Sequence, residues 1–364
     1  MLGARKQVLI VQTAFLGDLL LSVPLLKNLR LSIPQCEIHL VCRKGLSPLF
    51  LELGLIDHGY EIQKKNSQSY QSVVENTRGT FFDLILSPHE SFTSGRLVKK
   101  LKSPVKIGFS SWWNFLFFHE RIQRDLALPE ALRQLSLLEN RIPDLKAKLR
   151  SFKKMQISFE KIHPGKLAPV PEWASPEIEL KLPFSDIKTQ LVSDLGSHFS
   201  LPDQFVCLFP GSVWATKQWT PEGFVEIGNR YSQEGKAILI MGGPGEESLG
   251  ERVASQIPGS LNLVNRTSLM QTLVILKSAS LVVTNDSAGQ HLAALVLAPT
   301  LSIFGPTVLK FGYRPWNSKA MVIERKDLLC RPCGKHGHQQ CPLGTHECMK
   351  SIRAKEVYES SQSL

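Results

Sequence analysis

Short apolar runs rich in β-branched residues alternate along this chain with stretches whose apolar residues recur at helical spacing. Gln7–Gln12, Glu37–Cys42, Phe82–Ser87 and Val105–Phe109 read as strands. Leu19–Leu31 and the basic stretch Arg96–Leu101 read as helices between them. The pattern restarts with strands at Phe205–Phe209, Ala237–Met241, Leu281–Thr284 and Thr300–Phe304, and with helices at Pro221–Glu234, Ser268–Ser278 and His291–Leu297. Strands alternating with helices build parallel sheets from βαβ units. A single core stops growing near about 250–300 residues, and the chain has 364. The expectation is an α/β protein with two Rossmann-like domains whose parallel sheets face across a cleft. Residues 1–165 form the first domain and 201–328 the second. Between them lies a linker, 166–200; the proline-rich stretch HPGKLAPVPEWASPEIELKLP, from His163 onward, leads into it and cannot be regular helix, because proline removes a donor and clashes inside a helix. Residues 329–364 hold a cysteine-rich segment and a C-terminal helix.

Ligands of open α/β sheets lie beyond the carboxyl ends of the strands, and the polar motifs sit there. After the first strand, Gly17 allows a tight turn and Asp18 stands at a helix start. Asp18 has two readings: a first-turn acid complementing the helix dipole, or a general base able to take a proton from a sugar hydroxyl. In the second half, Pro210-Gly211-Ser212 and the following VWATKQWTPEGF combine glycine, hydroxyls, a lysine and a helix start. These are the parts of an anion site, with Thr216 and Lys217 as side-chain donors, or of a plain surface loop. Gly242-Gly243-Pro244-Gly245-Glu246-Glu247 suits a ribose held by Glu246, or a capped helix. Asn285-Asp286-Ser287-Ala288-Gly289-Gln290-His291 offers a carboxylate for sugar hydroxyls and free N–H groups for phosphate. The turn Phe304-Gly305-Pro306-Thr307 closes the same crevice. Neither the dinucleotide fingerprint nor the P-loop spacing is present.

The chain carries 43 Lys and Arg against 32 Asp and Glu, a net charge of +11. That excess favours an anionic partner: nucleic acid, a phosphorylated glycolipid or an anionic membrane surface. It also serves solubility alone. No nucleic-acid module is recognisable, which argues against nucleic acid. No apolar run approaches the roughly 20 residues of a membrane span. Asp18 interrupts the apolar N-terminal stretch, so that stretch reads as strand, loop and helix rather than a signal peptide, and a cytoplasmic chain is expected. Arg96, Lys99, Lys100, Lys102 and Lys106 are candidate phosphate contacts. Trp112, Trp113, Phe115, Phe117 and Phe118 read either as core or as a membrane-interface segment. Cys36, Cys42 and Cys207 lie in strand contexts and should be buried and inert. Cys330, Cys333, Cys341 and Cys348, with His336, His338 and His346 as spare ligands, fit a structural zinc site, an oxidisable pair or simple packing.

Six segments, in order, resemble glycosyltransferase family 9, which includes the ADP-heptose:lipopolysaccharide heptosyltransferases. They are FLGDLLLSVPLLKNLR, FDLILSPHESFTSGRLVKKLKSPVKIGF, PGSVWATKQWTPEGF, GGPGEE, VVTNDSAGQHLAALVLAPTLSIFGPT and CRPCGKHGHQQCPLGTHECMKSI. The last looks closer to the heptosyltransferase II type. The resemblance implies a GT-B fold and an inverting transfer that needs no catalytic metal. It implies an ADP-sugar donor, a phosphorylated lipid A–core acceptor and work at the inner face of the cytoplasmic membrane. By motif match, Asp18 is the base beside Gly17. Gly211, Ser212, Thr216 and Lys217 fall on the diphosphate stretch, and Glu246 on the ribose acid. Thr267 falls where backbone meets adenine, and Asp286 on the donor-sugar residue. Ser287, Ala288, Gly289 and His291 line the phosphates. The family's usual run is Asn-Asp-Ser-Gly-Pro-Met-His, so Ala288 replaces a glycine that reaches positive φ more freely. A second reading keeps the fold but changes the donor or acceptor, or leaves a catalytically silent sugar-nucleotide-binding protein.

Overall fold

The computed structural model describes residues 5–163, 166–180, 186, 189 and 202–364. Much of the second half of the expected linker therefore lies outside the described residues. The chain divides into two units, Met1–Ile157 with Pro171–Ser175, and Ser158–Val170 with Pro176–Leu364.

The first unit holds a six-stranded parallel sheet of β1 (Gln7–Val11), β2 (Glu37–Arg43), β3 (His58–Ile62), β4 (Leu84–Ser87), β5 (Lys106–Phe109) and β6 (Glu120–Ile122). Their order is β3-β2-β1-β4-β5-β6. β1, β4 and β5 are buried almost throughout, as strands covered by helices on both faces must be. Leu9, Val11, Val41 and Ile85 pack with Leu97 and Val98 of helix Phe92–Lys100. Ser91 caps that helix, accepting the Ser94 N–H.

The second unit repeats this plan with β7 (Phe205–Phe209), β8 (Ala237–Ile240), β9 (Leu261–Asn262), β10 (Leu281–Asn285), β11 (Thr300–Phe304) and β12 (Ala320–Glu324). The order β12-β11-β10-β7-β8-β9 is the same winding as in the first sheet. Thr220 caps helix Pro221–Gln233, whose first residue is a proline that needs no N–H partner. A reciprocal capping box of Ser268 and Gln271 starts helix Leu269–Ser278. Helix Ala354–Ser361 places Val357 on the core made by Phe224, Ile227 and Tyr231.

Three local expectations change. The helix expected at Leu19–Leu31 is two helices, Leu16–Leu20 and Val23–Ser32. Pro24 stands in the first turn of the second, where a proline starts a helix but could not lie inside one. Helix Leu145–Ile162, for which no helix is expected above, runs almost to the proline-rich stretch. Its sequence signal is faint for a physical reason: of its 18 residues only Leu145, Leu149 and Phe152 are buried. The aromatic run divides between the two roles offered for it. Phe117 and Phe118 are buried, whereas Trp112 is 86% exposed and Phe115 57%.

Candidate functional site

The winding reverses between β1 and β4 in the first sheet and between β7 and β10 in the second. Such switch points open a crevice beyond the carboxyl ends of the strands.

In the first unit, β1 is followed by Gln12 and Thr13, and Asp18 lies in the first turn of helix Leu16–Leu20. Burial, then the nearby Glu130 carboxylate, push its carboxyl up to about 6, against relief from backbone N–H groups and Arg124. Gln134 holds this turn by donating to the Asp18 carbonyl at 3.1 Å, while its own oxygen accepts from Gln12 and Ser22. Glu130 is paired with Arg124 at 2.6 Å and with Arg133 at 3.2 Å. Asp18 also acts electrostatically on Arg43 and Lys64. His89, beside Thr13 and Ser94, is kept neutral: burial and the charges of Lys64, Arg43 and Arg124 lower it to about 4. Burial and Glu130 thus outweigh the nearby cations and keep the Asp18 carboxyl's proton affinity near neutrality.

Arg96, Lys99 and Lys100 are exposed and are not brought to this place. Their helix starts near the carboxyl edge and runs back across the sheet. Lys106, the first residue of β5, donates to the Lys99 carbonyl at 3.4 Å. The end of that helix therefore lies at the opposite edge from Asp18.

In the second unit, Lys217 Nζ lies 2.6 Å from Asp286 Oδ2, with only 12% and 5% of the two side chains exposed. Thr307 donates to the same oxygen at 2.6 Å, and Gln290 to the other at 3.1 Å. Three side chains thus converge on one carboxylate. Asn285 cross-links the strand end to the preceding loop: it donates to the Pro210 carbonyl at 2.8 Å and accepts the Trp219 N–H at 2.9 Å. Gly211 is required. A Cβ there would fall 2.1 Å from the Glu246 carboxyl carbon. Glu246 accepts the Gly243 N–H at 2.9 Å, and burial raises its carboxyl above the ordinary value. His291 is buried, and its Nδ1 has no hydrogen-bond partner. Burial lowers it to about 4, so the ring is neutral.

Other expected donor residues take different parts. Ser212 is buried beside Gly211, its hydroxyl accepting the Trp214 N–H at 3.4 Å. Thr267 and Thr272 join hydroxyls at 2.9 Å. Ser287 is the residue before helix Ala288–Leu295. Ala288 opens that helix and is not among the residues with positive φ, so the backbone here makes no demand that alanine fails. It is Gly289 that must be small: a Cβ there would lie 2.8 Å from Phe209 and from Thr284 Oγ1. Thr216 is already engaged by the C-terminal segment. Its hydroxyl donates to the His338 carbonyl and accepts the His338 N–H, both at 2.7 Å. His346 Nε2 meets the Thr216 carbonyl at 2.8 Å, and a Cβ on Gly337 would crowd Thr216 Oγ1 at 2.8 Å. The cysteine-rich segment is therefore a clamp on the loop carrying Lys217, and Thr216 is its handle.

All seven cysteines are free thiols, with Cys36, Cys42 and Cys207 buried as expected. Cys341 accepts backbone N–H groups from residues 343–346, which lower its thiol against the cost of burial. The four C-terminal sulfurs do not meet at a common ligand distance. Among the described residues, the one group with ligand atoms all within 4.8 Å is Glu37, His39 and His58.

Residues 71–344 match the family model for glycosyltransferase family 9 (heptosyltransferase). This chain belongs to that family. The lipooligosaccharide heptosyltransferase 2 of Campylobacter jejuni serotype O:2 is 29% identical over 193 residues, 51% of this chain and 57% of that relative. The match thus spans little more than half of that protein's length. The lipooligosaccharide heptosyltransferase 2 of Haemophilus influenzae is 22% identical over 98% of this chain and 99% of its own. Among solved structures, a family 9 glycosyltransferase from Veillonella parvula aligns at TM-score 0.78 and 20% identity, covering 98% of this chain and 96% of that one. The Escherichia coli ADP-heptose heptosyltransferase II aligns at TM-score 0.72 and 19% identity, covering 98% of both chains. The family 9 chain has the GT-B fold class, with its two Rossmann-like sheets. Asp18 lies outside the matched residues, so its role rests on local geometry.

Proposed function

We propose that this chain transfers a heptosyl group from ADP-L-glycero-D-manno-heptose to the inner core of a lipopolysaccharide acceptor, with inversion and without a metal or other cofactor. The observation that carries the reading is the buried Lys217–Asp286–Thr307–Gln290 cluster at the switch point of the second sheet, in a family 9 chain. Donor binding redistributes these contacts: Lys217 turns to the diphosphate and Asp286 to the sugar hydroxyls. The unpartnered Nδ1 of neutral His291 supplies a further donor at the start of its helix. Glu246, cradled by Gly211 and Gly243, accepts from the ribose hydroxyls.

In the transfer, an acceptor oxygen forms a bond to the anomeric carbon as the bond from that carbon to the diphosphate oxygen breaks. The hydroxyl proton passes to Asp18, and ADP leaves with the negative charge. Lys217 and the helix start stabilise that charge, a contribution worth about 3–4 kcal/mol per well-placed donor. Arg43, Lys64 and Arg124 surround Asp18 electrostatically and replace Arg96, Lys99 and Lys100 as partners for the phosphorylated acceptor. Exposed Trp112, Phe115 and Leu116, with the net charge of +11, support attachment to the anionic inner face of the cytoplasmic membrane.

A thermal-shift panel of ADP, UDP, GDP and CMP tests the donor. Stabilisation by ADP alone is expected. Preference for another nucleotide would move the chain to a different sugar donor. Binding of ADP with no heptosyl transfer to a deheptosylated core glycolipid would leave a silent binding protein.

A further inference from the structure

The amino edge of the first sheet, away from Asp18, carries a cluster that the transfer does not use. Gln7, Glu37 and His58 are the first residues of β1, β2 and β3. Register pairs Gln7 with Glu37 and His39 with His58. Glu37 and His39 are two apart on one strand and so share a face. Glu37 Oε2 lies 3.5 Å from His58 Nε2. The carboxylate and one nitrogen of each imidazole all fall within 4.8 Å of one another.

The geometry points to a divalent transition-metal site of the zinc class, formed by Glu37, His39 and His58 at the amino edge of the first sheet. Two imidazoles and one carboxylate are a ligand set that zinc favours. The His39 ring is already held in place, and metal binding requires its proton to move from Nε2, which faces Gln7 Oε1, to Nδ1, which faces the Tyr60 hydroxyl. Its Nδ1 meets the Tyr60 hydroxyl at 3.2 Å, and its ring lies edge-on to Phe82 at 5.1 Å. The outward Nε2 now contacts Gln7 Oε1, while Gln7 Nε2 donates to Glu37 at 2.9 Å. A metal replaces the Gln7 bridge and leaves that amide oxygen, or a water, as fourth ligand. The His39 and His58 rings are stacked at 4.3 Å, so their in-plane lone pairs run side by side, and His58 must turn for both to reach one ion. His58 is half exposed and Glu37 partly so, and both have freedom to swing, whereas His39 stays fixed. Bound metal would tie together the starts of three neighbouring strands.

Cobalt(II) titration of the full chain separates this site from the C-terminal thiols. Nitrogen and oxygen ligands give visible d–d absorption without the near-ultraviolet charge-transfer band of thiolate. We expect one equivalent bound with no thiolate band. His58→Asn should weaken binding at least about 10-fold, Glu37→Gln similarly, and Tyr60→Phe about 10-fold through loss of the hydrogen bond that orients His39. His58 is exposed enough that its replacement leaves the fold intact. A bound ion that shows the thiolate band and is unaffected by His58→Asn would overturn the assignment, as would no binding at millimolar Co2+ or Zn2+.

Discussion

Asp18 shows how burial sets chemistry for a single residue. Burial and Glu130 hold its carboxyl at about 6, close to the pH at which a base must accept a proton yet stay mostly ionised. Asp18→Asn should cut turnover at least about 100-fold with ADP affinity unchanged in calorimetry. The rate of the native chain should fall as pH drops through about 6, because only the ionised carboxylate is a base. The effect on stability has the opposite sign. A carboxyl whose folded pKa is above its unfolded value of about 4 favours folding below that value and loses this contribution as pH rises through about 6. Asp18→Asn should therefore raise the melting temperature at pH 7.5, with the gain shrinking towards pH 4. Lys217→Ala differs, because it strands Asp286 as a buried charge. A loss of about 3–5 kcal/mol in chemical denaturation, together with weaker ADP binding, is expected.

At the scale of elements, the glycines at strand-to-helix turns decide more than the acids do. Gly211→Ala drives a methyl into the Glu246 carboxylate, so ADP affinity should fall at least about 10-fold, consistent with about 1–3 kcal/mol for forced repacking. Ala288→Gly should leave ADP affinity unchanged and cost at most about 1 kcal/mol of stability, since the helix start there is ordinary. Gly289→Ala should cost about 1–3 kcal/mol in a denaturant titration. The sequence showed that a glycine matters in this stretch, but pointed to position 288. Only the closeness of Phe209 and Thr284 identifies position 289 as the constrained one. Most strands were legible because doubly covered strands are continuous apolar runs. β3 escaped notice because His58, Gly59, Tyr60 and Glu61 are at most half-buried. The break at Ser22 was hidden by an apolar pattern that continues across it.

On the scale of the whole molecule, two sheets with the same winding place each carboxyl-edge motif at its own switch point. Net charge and exposed aromatics belong to this scale too. Trp112→Glu with Phe115→Glu should abolish co-sedimentation with anionic vesicles at low salt while leaving ADP binding intact, and raised salt should weaken binding of the native chain.

The alternation of strand and helix, the positions of Asp18, Lys217, Glu246 and Asp286, and the family could all be read from the residues in order. These properties are local or periodic, and periodicity is carried by sequence. Tertiary structure alone decided that Thr216 is gripped by His338 and His346, that Arg43, Lys64 and Arg124 rather than Arg96, Lys99 and Lys100 accompany Asp18, and that Glu37, His39 and His58 meet. Each joins residues separated by turns or crossovers, where strand register and helix direction, rather than spacing along the chain, fix which side chains become neighbours.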